Sequence, residues 1–162
     1  MKIILTGGTI LKGYNVDTGA MEVKDGSDFD HCMEDMNLTK EYDVHAWWGM
    51  KDSIFMTESD RYDMYKFCKS RTDGRLLVIH GTDTISETHK YFCEQDSIGT
   101  VVFTGAFFPL CLKWTEGEFN LGFALASAKL LPEGNYVAMN GEVFTENVKK
   151  DFENLTFEGK TI

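Results

Sequence analysis

The chain has 162 residues, of which 43% are apolar and 26% charged, and a formal net charge of −10. That composition is a globular protein's and the length suits one domain with a real core, residues 1–162; the acidic balance argues against nucleic acid, whose phosphates need clustered Lys and Arg, and against anionic membrane surfaces. No apolar stretch approaches the roughly 18 residues of a membrane span, and Ile3-Ile4-Leu5 is too short for a signal-peptide core, so the expected location is the cytoplasm.

Short apolar runs alternate with helix-like stretches. The expected strands are Ile3–Leu5, Val44–Trp48, Leu76–Ile79, Val101–Thr104 and Tyr136–Met139, each ended by a glycine or an Asn-Gly or His-Gly pair. Between Leu5 and Val44, the region from about Gly13 to Tyr42 is polar and longer than loops usually run. It reads either as a lid or hairpin over a site, or as a disordered surface excursion. Within it, Asp28-Phe29-Asp30-His31-Cys32 with Glu34 and Asp35 reads as a solvated acidic turn rather than a metal site. The expected helices are Glu58–Ser70, with Thr57 as N-cap, Ile85–Gln95, and Phe119–Leu131, which Pro132 closes. Strands alternating with helices of this length imply βαβ units and a mainly parallel sheet, with right-handed connections. The expected class is α/β, one three-layer domain of Rossmann-like or flavodoxin-like type. Cys32, Cys68, Cys93 and Cys111 form no CxxC pair and read as free thiols.

In an open parallel sheet, ligands bind outside the carboxyl ends of the strands. Hydroxyls and carboxylates gather at those ends here: Thr6, Thr9, Ser53, Thr82, Asp83 and Thr84. Thr6 to Gly13 fits neither GxGxxG nor GxxxxGK, which sets nucleotides aside. Gly7-Gly8 lets the backbone approach a ligand closely, and Thr9 follows with a hydroxyl that needs a base to act as a nucleophile. The plainer alternative is that Thr6 or Thr9 only bonds the turn backbone. In His80-Gly81-Thr82-Asp83-Thr84, the run Thr84-Ile85-Ser86-Glu87 fits a capping box. The same turn offers three side-chain oxygens, and a helix N-terminus suits an oxyanion or carboxylate. His80 reads as a satisfied core histidine more readily than as a proton relay.

Taken together, Thr6-Gly7-Gly8-Thr9-Ile10 and His80-Gly81-Thr82-Asp83-Thr84 resemble the two signatures of bacterial-type L-asparaginases. Lys51-Asp52-Ser53-Ile54-Phe55-Met56-Thr57 is similar to that family's substrate loop. Thr104-Gly105-Ala106 with Pro109 is similar to a further turn, and Asn147-Val148-Lys149-Lys150 to the stretch with its catalytic lysine. The chain is similar to the short, single-domain form, from Lys2 to about Glu158. The resemblance implies hydrolysis of the side-chain amide of L-asparagine through an acyl-enzyme on Thr9, assisted by Tyr14. Thr82, Asp83 and Lys150 would form a second hydroxyl–carboxylate–lysine set, with Lys149 one residue away as the alternative. It further implies substrate contacts from Gly8, Asp52, Ser53, Ile54, Gly81 and Ala106, with Ser53 and Asp83 meeting the α-carboxylate and α-amino groups. It implies no metal or other cofactor, and a homodimer or homotetramer. Phe55 stands where the family is usually acidic, and Ile54 where larger relatives carry glutamine. Glutamine or another small amide remains open as substrate, as does a role as an asparagine or aspartate sensor without turnover.

Overall fold

The apolar runs pair into one seven-stranded sheet. The computed structural model describes residues 1–38 and 42–162. Its strands are β1 (Lys2–Gly7), β2 (Lys12–Asn15), β3 (Ala20–Val23), β4 (Asp43–Lys51), β5 (Arg75–Ile79), β6 (Thr100–Thr104), β7 (Gly134–Met139), β8 (Glu142–Asp151) and β9 (Thr156–Thr161). Its helices are α1 (Ser27–Asp35), α2 (Glu58–Arg71), α3 (Ile85–Cys93) and α4 (Gly117–Leu130). The sheet order is β4-β1-β5-β6-β7-β8-β9, parallel from β4 through β7 and antiparallel at β8 and β9. β2 and β3 form a separate antiparallel hairpin.

The pleat sorts each central strand's side chains onto two faces. Ile4, Leu76, Val78, Val101 and Phe103 meet Met64, Phe67 and Phe92 of α2 and α3. Ile3, Leu5, Leu77, Ile79 and Val102 meet Phe29 of α1 and Leu121, Ala124 and Leu125 of α4. Burying each such large side chain contributes about 1.5–3 kcal/mol. Strand propensity spans only about 1 kcal/mol, so burial on both faces decides the sheet. The result is the three-layer α/β architecture expected from the sequence. Thr57 caps α2 as expected, within a full capping box with Asp60.

Several expectations need correction. The region from Gly13 to Tyr42 is not one long loop among its described residues: it holds the β2–β3 hairpin and α1. The acidic segment read as a turn is α1 itself, because Phe29, 1% exposed, anchors it to the sheet. Thr39, Lys40 and Glu41 lie outside the described residues. β8 and β9 were not expected at all. Asn140 and Gly141 both have positive φ, 54° and 82°, and make the tight turn that folds β8 back on β7; Asn-Gly is the usual sequence for such a hairpin.

The right-handed rule also fails once. The steps β5→β6 and β6→β7 run the same way along the sheet. Yet α3 lies on one face and α4 on the other. The two crossovers therefore have opposite hands. The step β1→β4 runs the opposite way along the sheet from β4→β5 and β5→β6, and its helix α1 lies on the opposite face from α2 and α3, so these three share one hand. Since almost all such connections are right-handed, β6–α4–β7 is the left-handed exception. Residues 105–116 between β6 and α4 pass beside the short turn that follows β1, where the Leu110 N–H donates to the Ile10 carbonyl at 3.2 Å.

Candidate active site

Among the five parallel strands the order is second-first-third-fourth-fifth, so the chain direction reverses between β1 and β5. A crevice opens at such a switch point, outside the strands' carboxyl ends. The loops after β1 and β5 meet there. A Cβ added to Gly8, at φ +87°, would lie 2.3 Å from the Gly81 Cα. A Cβ on Gly81 would lie 2.4 Å from the Ser53 Oγ. Neither position admits a side chain, and this double contact draws the loops after β1, β4 and β5 together. Thr9 and Thr82 each directly follow one of the two touching glycines.

The hydroxyls differ in how they are engaged. Thr6 donates to the Ile79 carbonyl at 2.7 Å and so pins β1 to β5. Thr9 opens a short 3-10 turn, half-exposed, and among the described residues its hydroxyl has no hydrogen-bond partner. Ser53 is fully buried with an unpartnered Oγ. An unpaired buried hydroxyl costs about 1–3 kcal/mol, so the Ser53 Oγ is a candidate to bond a ligand.

Lys150 Nζ donates to Thr82 Oγ1 at 3.0 Å and lies 2.5 Å from Asp83 Oδ1. The Lys150 side chain is 11% exposed and Asp83's 33%. Two aromatic rings flank the ammonium: Phe107 at 5.1 Å and Phe152 at 4.7 Å from their centroids. Both distances fall within cation–π range. Lys149 is exposed and paired across to Glu158 in the hairpin ladder. Adjacent strand residues point to opposite faces, so only Lys150 reaches the site. Irregular pairing around Asn147, at φ 55°, bends β8. The strand then lies along α3, with Ser86, Lys90, Thr145 and Val148 lining the groove between them.

The α3 N-terminus has no side-chain cap. The capping box read into Thr84-Ile85-Ser86-Glu87 is absent, because the Thr84 hydroxyl donates to the Ser53 carbonyl at 2.9 Å instead. The first N–H groups of α3 thus lack a side-chain acceptor beside Thr82 and Asp83, with the positive end of the helix dipole.

His80 is fully buried, and burial holds it well below the ordinary histidine range, at about 4. It is therefore neutral. Its Nδ1 lies 2.8 Å from the Gly81 carbonyl, which only accepts, so Nδ1 carries the proton. Nε2 then accepts from the Thr88 hydroxyl at 3.0 Å, and Thr88 in turn accepts from Arg61 Nε at 3.2 Å. The core-histidine reading holds: His80 fixes the shape of the Gly81 turn.

The remaining candidates are placed less centrally. Asp52 caps the 3-10 turn Ser53–Phe55 and pairs with Lys12 at 2.6 Å. Ile54 is 57% exposed on that turn, while Ala106 is fully buried. Tyr14 sits on β2, 61% exposed, with its hydroxyl toward Gly19 of its own hairpin. Sequence reasoning missed Lys12, Phe107, Phe152 and Asn120. Asn120 is buried and ties the α4 start to both strand ends, through the Gly105 carbonyl and the Asn140 N–H, each at 3.0 Å. A polar residue amid the apolar run Phe119 to Leu125 was the available signal for it. The aromatic pair had none, since the two rings are 45 positions apart (152 − 107). Among the described residues no three His, Cys, Asp or Glu side chains cluster as metal ligands, and no helix is long and apolar enough to cross a membrane.

A family model described as Asparaginase, N-terminal matches residues 1–156. The fold is similar to the thermostable L-asparaginase from Thermococcus kodakarensis, with TM-score 0.79 and 23% identity, covering 100% of this chain and 53% of that one. It is similar also to L-asparaginase I from Vibrio cholerae, with TM-score 0.83 and 23% identity, covering 98% and 50%. The chain thus spans about half the length of these solved structures. A comparison with curated proteins found no match.

Proposed function

The chain belongs to the asparaginase family, and from that premise we propose that it hydrolyses the side-chain carboxamide of asparagine through an acyl-enzyme on Thr9. The observation that supports the reading is the contact of the Gly8 and Gly81 loops, since Thr9 directly follows the one glycine and Thr82, bonded to Lys150, the other. Thr9 Oγ attacks the amide carbon, and its proton passes toward the Thr82–Lys150–Asp83 set. Loop N–H groups hold the oxyanion, which water would stabilise less because its dipoles must reorient. The intermediate collapses, the C–N bond breaks, and the nitrogen leaves as ammonia with the transferred proton. Water then attacks the Thr9 ester, giving the free carboxylate and restoring the hydroxyl. Ser53 Oγ and the uncapped N–H groups of α3 receive the substrate's carboxylate. Tyr14, on the neighbouring hairpin, closes over the site when substrate is bound.

A second reading has one observation in its favour: Thr82, not Thr9, is the hydroxyl in contact with the lysine. Acid quenching during turnover followed by peptide mass spectrometry decides between them. An adduct on the Thr9 peptide, with ammonia released from asparagine, supports the proposal; an adduct on the Thr82 peptide reverses the two roles. Equal turnover of glutamine would widen the substrate. Reversible binding of asparagine with no adduct and no ammonia would make the protein a sensor.

A further inference from the structure

We propose that Arg61, on α2, is a positioning residue for the candidate site: acting through Thr88 and His80 it sets the direction of the Gly81–Thr82 peptide, and it ties that turn to the one carrying Ser53. Only the kinetic arm of its test rests on the amide-hydrolysis reading.

Arg61 is a core residue, 9% exposed. Among the described residues its partners are two uncharged oxygens, and no carboxylate pairs with it. A buried cation without a counter-charge lowers stability, so stability does not account for this side chain. Geometry does. The guanidinium holds its donors in a fixed plane and cannot accept. Nε donates to Thr88 Oγ1 and Nη1 to the Met56 carbonyl, both at 3.2 Å.

The first bond opens a chain that runs from a group that only donates to one that only accepts, the Gly81 carbonyl. Every proton along it therefore points one way. The Thr88 hydroxyl donates to His80 Nε2 at 3.0 Å, and His80 Nδ1–H to Gly81 at 2.8 Å. Thr88 and His80 are fully buried, and bonds aligned head to tail strengthen one another. Without Arg61 the Thr88 hydroxyl is free to turn to the Thr84 carbonyl, a common choice for a helical threonine, which leaves His80 Nε2 bare. The chain ends on a peptide of the site. The Gly81 carbonyl and the Thr82 N–H belong to one planar trans group, so holding one aims the other, and Thr82 carries the hydroxyl bonded to Lys150. The second bond of Arg61 reaches the other loop: Met56 closes the 3-10 turn by donating its N–H to the Ser53 carbonyl at 3.0 Å. Gly81 and Ser53 are the residues that touch between the loops. One guanidinium thus governs both sides of that contact.

The test compares Arg61→Lys, Thr88→Val and Thr88→Ser in the whole chain. Arg61→Lys keeps the charge and loses the fork. Nitrogen-15 NMR of labelled histidine reads His80 without turnover, its signals being identified among the four histidines by their loss in His80→Gln. Thr88→Ser should keep the wild-type Nε2 resonance. Thr88→Val and Arg61→Lys should both move it toward the position of an unbonded imine nitrogen, and move the Gly81 and Thr82 amide resonances with it. In ammonia release from asparagine, Thr88→Ser should stay within about twofold of wild type, and Thr88→Val should lower kcat about tenfold with little change in KM. Arg61→Lys should lower kcat to the same extent and also raise KM, because it alone loosens the Ser53 turn. A purely structural role would move the thermal midpoint without this split. A folded Arg61→Lys with wild-type resonances, or with wild-type kcat and KM, overturns the proposal. Unmoved Gly81 and Thr82 amides in Thr88→Val overturn it as well, which keeps the test decisive if Arg61→Lys does not fold. Resonances that shift as expected in a protein releasing no ammonia would remove the hydrolytic reading and leave Arg61 in its positioning role.

Discussion

Two regions built on different principles supply the two halves of the candidate site. The parallel strands β1, β5 and β6 are buried on both faces nearly throughout, and the loops at their ends carry Thr9, Thr82 and Asp83. The β8–β9 hairpin is half-exposed, bulged and at the sheet's edge, and it delivers Lys150. The first region is fixed by close-packed backbone, to the point that Gly8 and Gly81 exclude side chains. The second is fixed by its ladder to β7 and by the buried Phe144, Val148 and Phe157, while a few polar and aromatic contacts hold its lysine. Substitutions in the first should therefore abolish chemistry or stability outright, and substitutions in the second should grade it.

The largest effect expected is from Thr9→Ala. It removes a half-exposed hydroxyl with no hydrogen-bond partner among the described residues, so the thermal midpoint should stay put while kcat falls by about a thousandfold or more. Activity retained in that variant would pass the nucleophile's role to another hydroxyl, Thr82 first. Lys150→Met keeps the aliphatic stem and deletes the ammonium. It should lower kcat by about 10²–10⁴-fold with a small change in KM. Lys149→Met on the same strand should leave both unchanged.

A third prediction tests the rigidity of the parallel region by pH. The folded-state value for His80 is about 4, below the ordinary 6.5. The folded protein therefore binds fewer protons than the unfolded chain in that window. The stability due to neutral His80 is fully present above about pH 6.5 and is lost as the pH falls toward 4, by an amount on the order of 3 kcal/mol. Urea midpoints measured across that range should show the slope, and His80→Gln should flatten it. The smallest effect expected is from Phe152→Leu, which keeps apolar bulk at a 70% exposed position but loses the ring face over Lys150. Exposed cation–π contacts contribute about 0.5–1 kcal/mol, so kcat should drop about two- to fivefold while Phe152→Trp preserves it. An unchanged Phe152→Leu would mean that Thr82, Asp83 and Phe107 suffice to position the lysine.

The same division explains what could be read from the sequence. Ile3–Leu5, Leu76–Ile79 and Val101–Thr104 are continuous apolar runs, because both their faces are covered, and such runs stand out in any sequence. The glycine loops were legible for the same reason, as abrupt stops to those runs. β8 was not legible, because one face is open and bulges around Asn147 break its alternation. Asn140-Gly141 marks the hairpin turn, but in the sequence the same pair serves equally as the end of β7. The capping box at Thr84 failed because a local pattern cannot reveal the Ser53 carbonyl, 31 positions away in sequence, that claims the hydroxyl. The aromatic rings around Lys150 were invisible for a like reason: their meeting is a property of the fold.

The reversed crossover has a consequence for how the chain finds its fold. α4 is apolar on nearly all sides: Leu121, Ala124 and Leu125 are buried, while Phe119 and Leu130 are exposed. Its composition alone does not choose between the sheet's two faces. The common right-handed route would take it to the face where α3 already lies. The choice falls to residues 105–116, where Leu110 bonds Ile10 and Glu116 holds the Phe107 and Phe108 N–H groups. In the folded state that segment holds the crossover on its side of the sheet. Weakening it should slow the docking of β7 and feed a mirror-handed kinetic trap, even in variants whose final stability is unchanged.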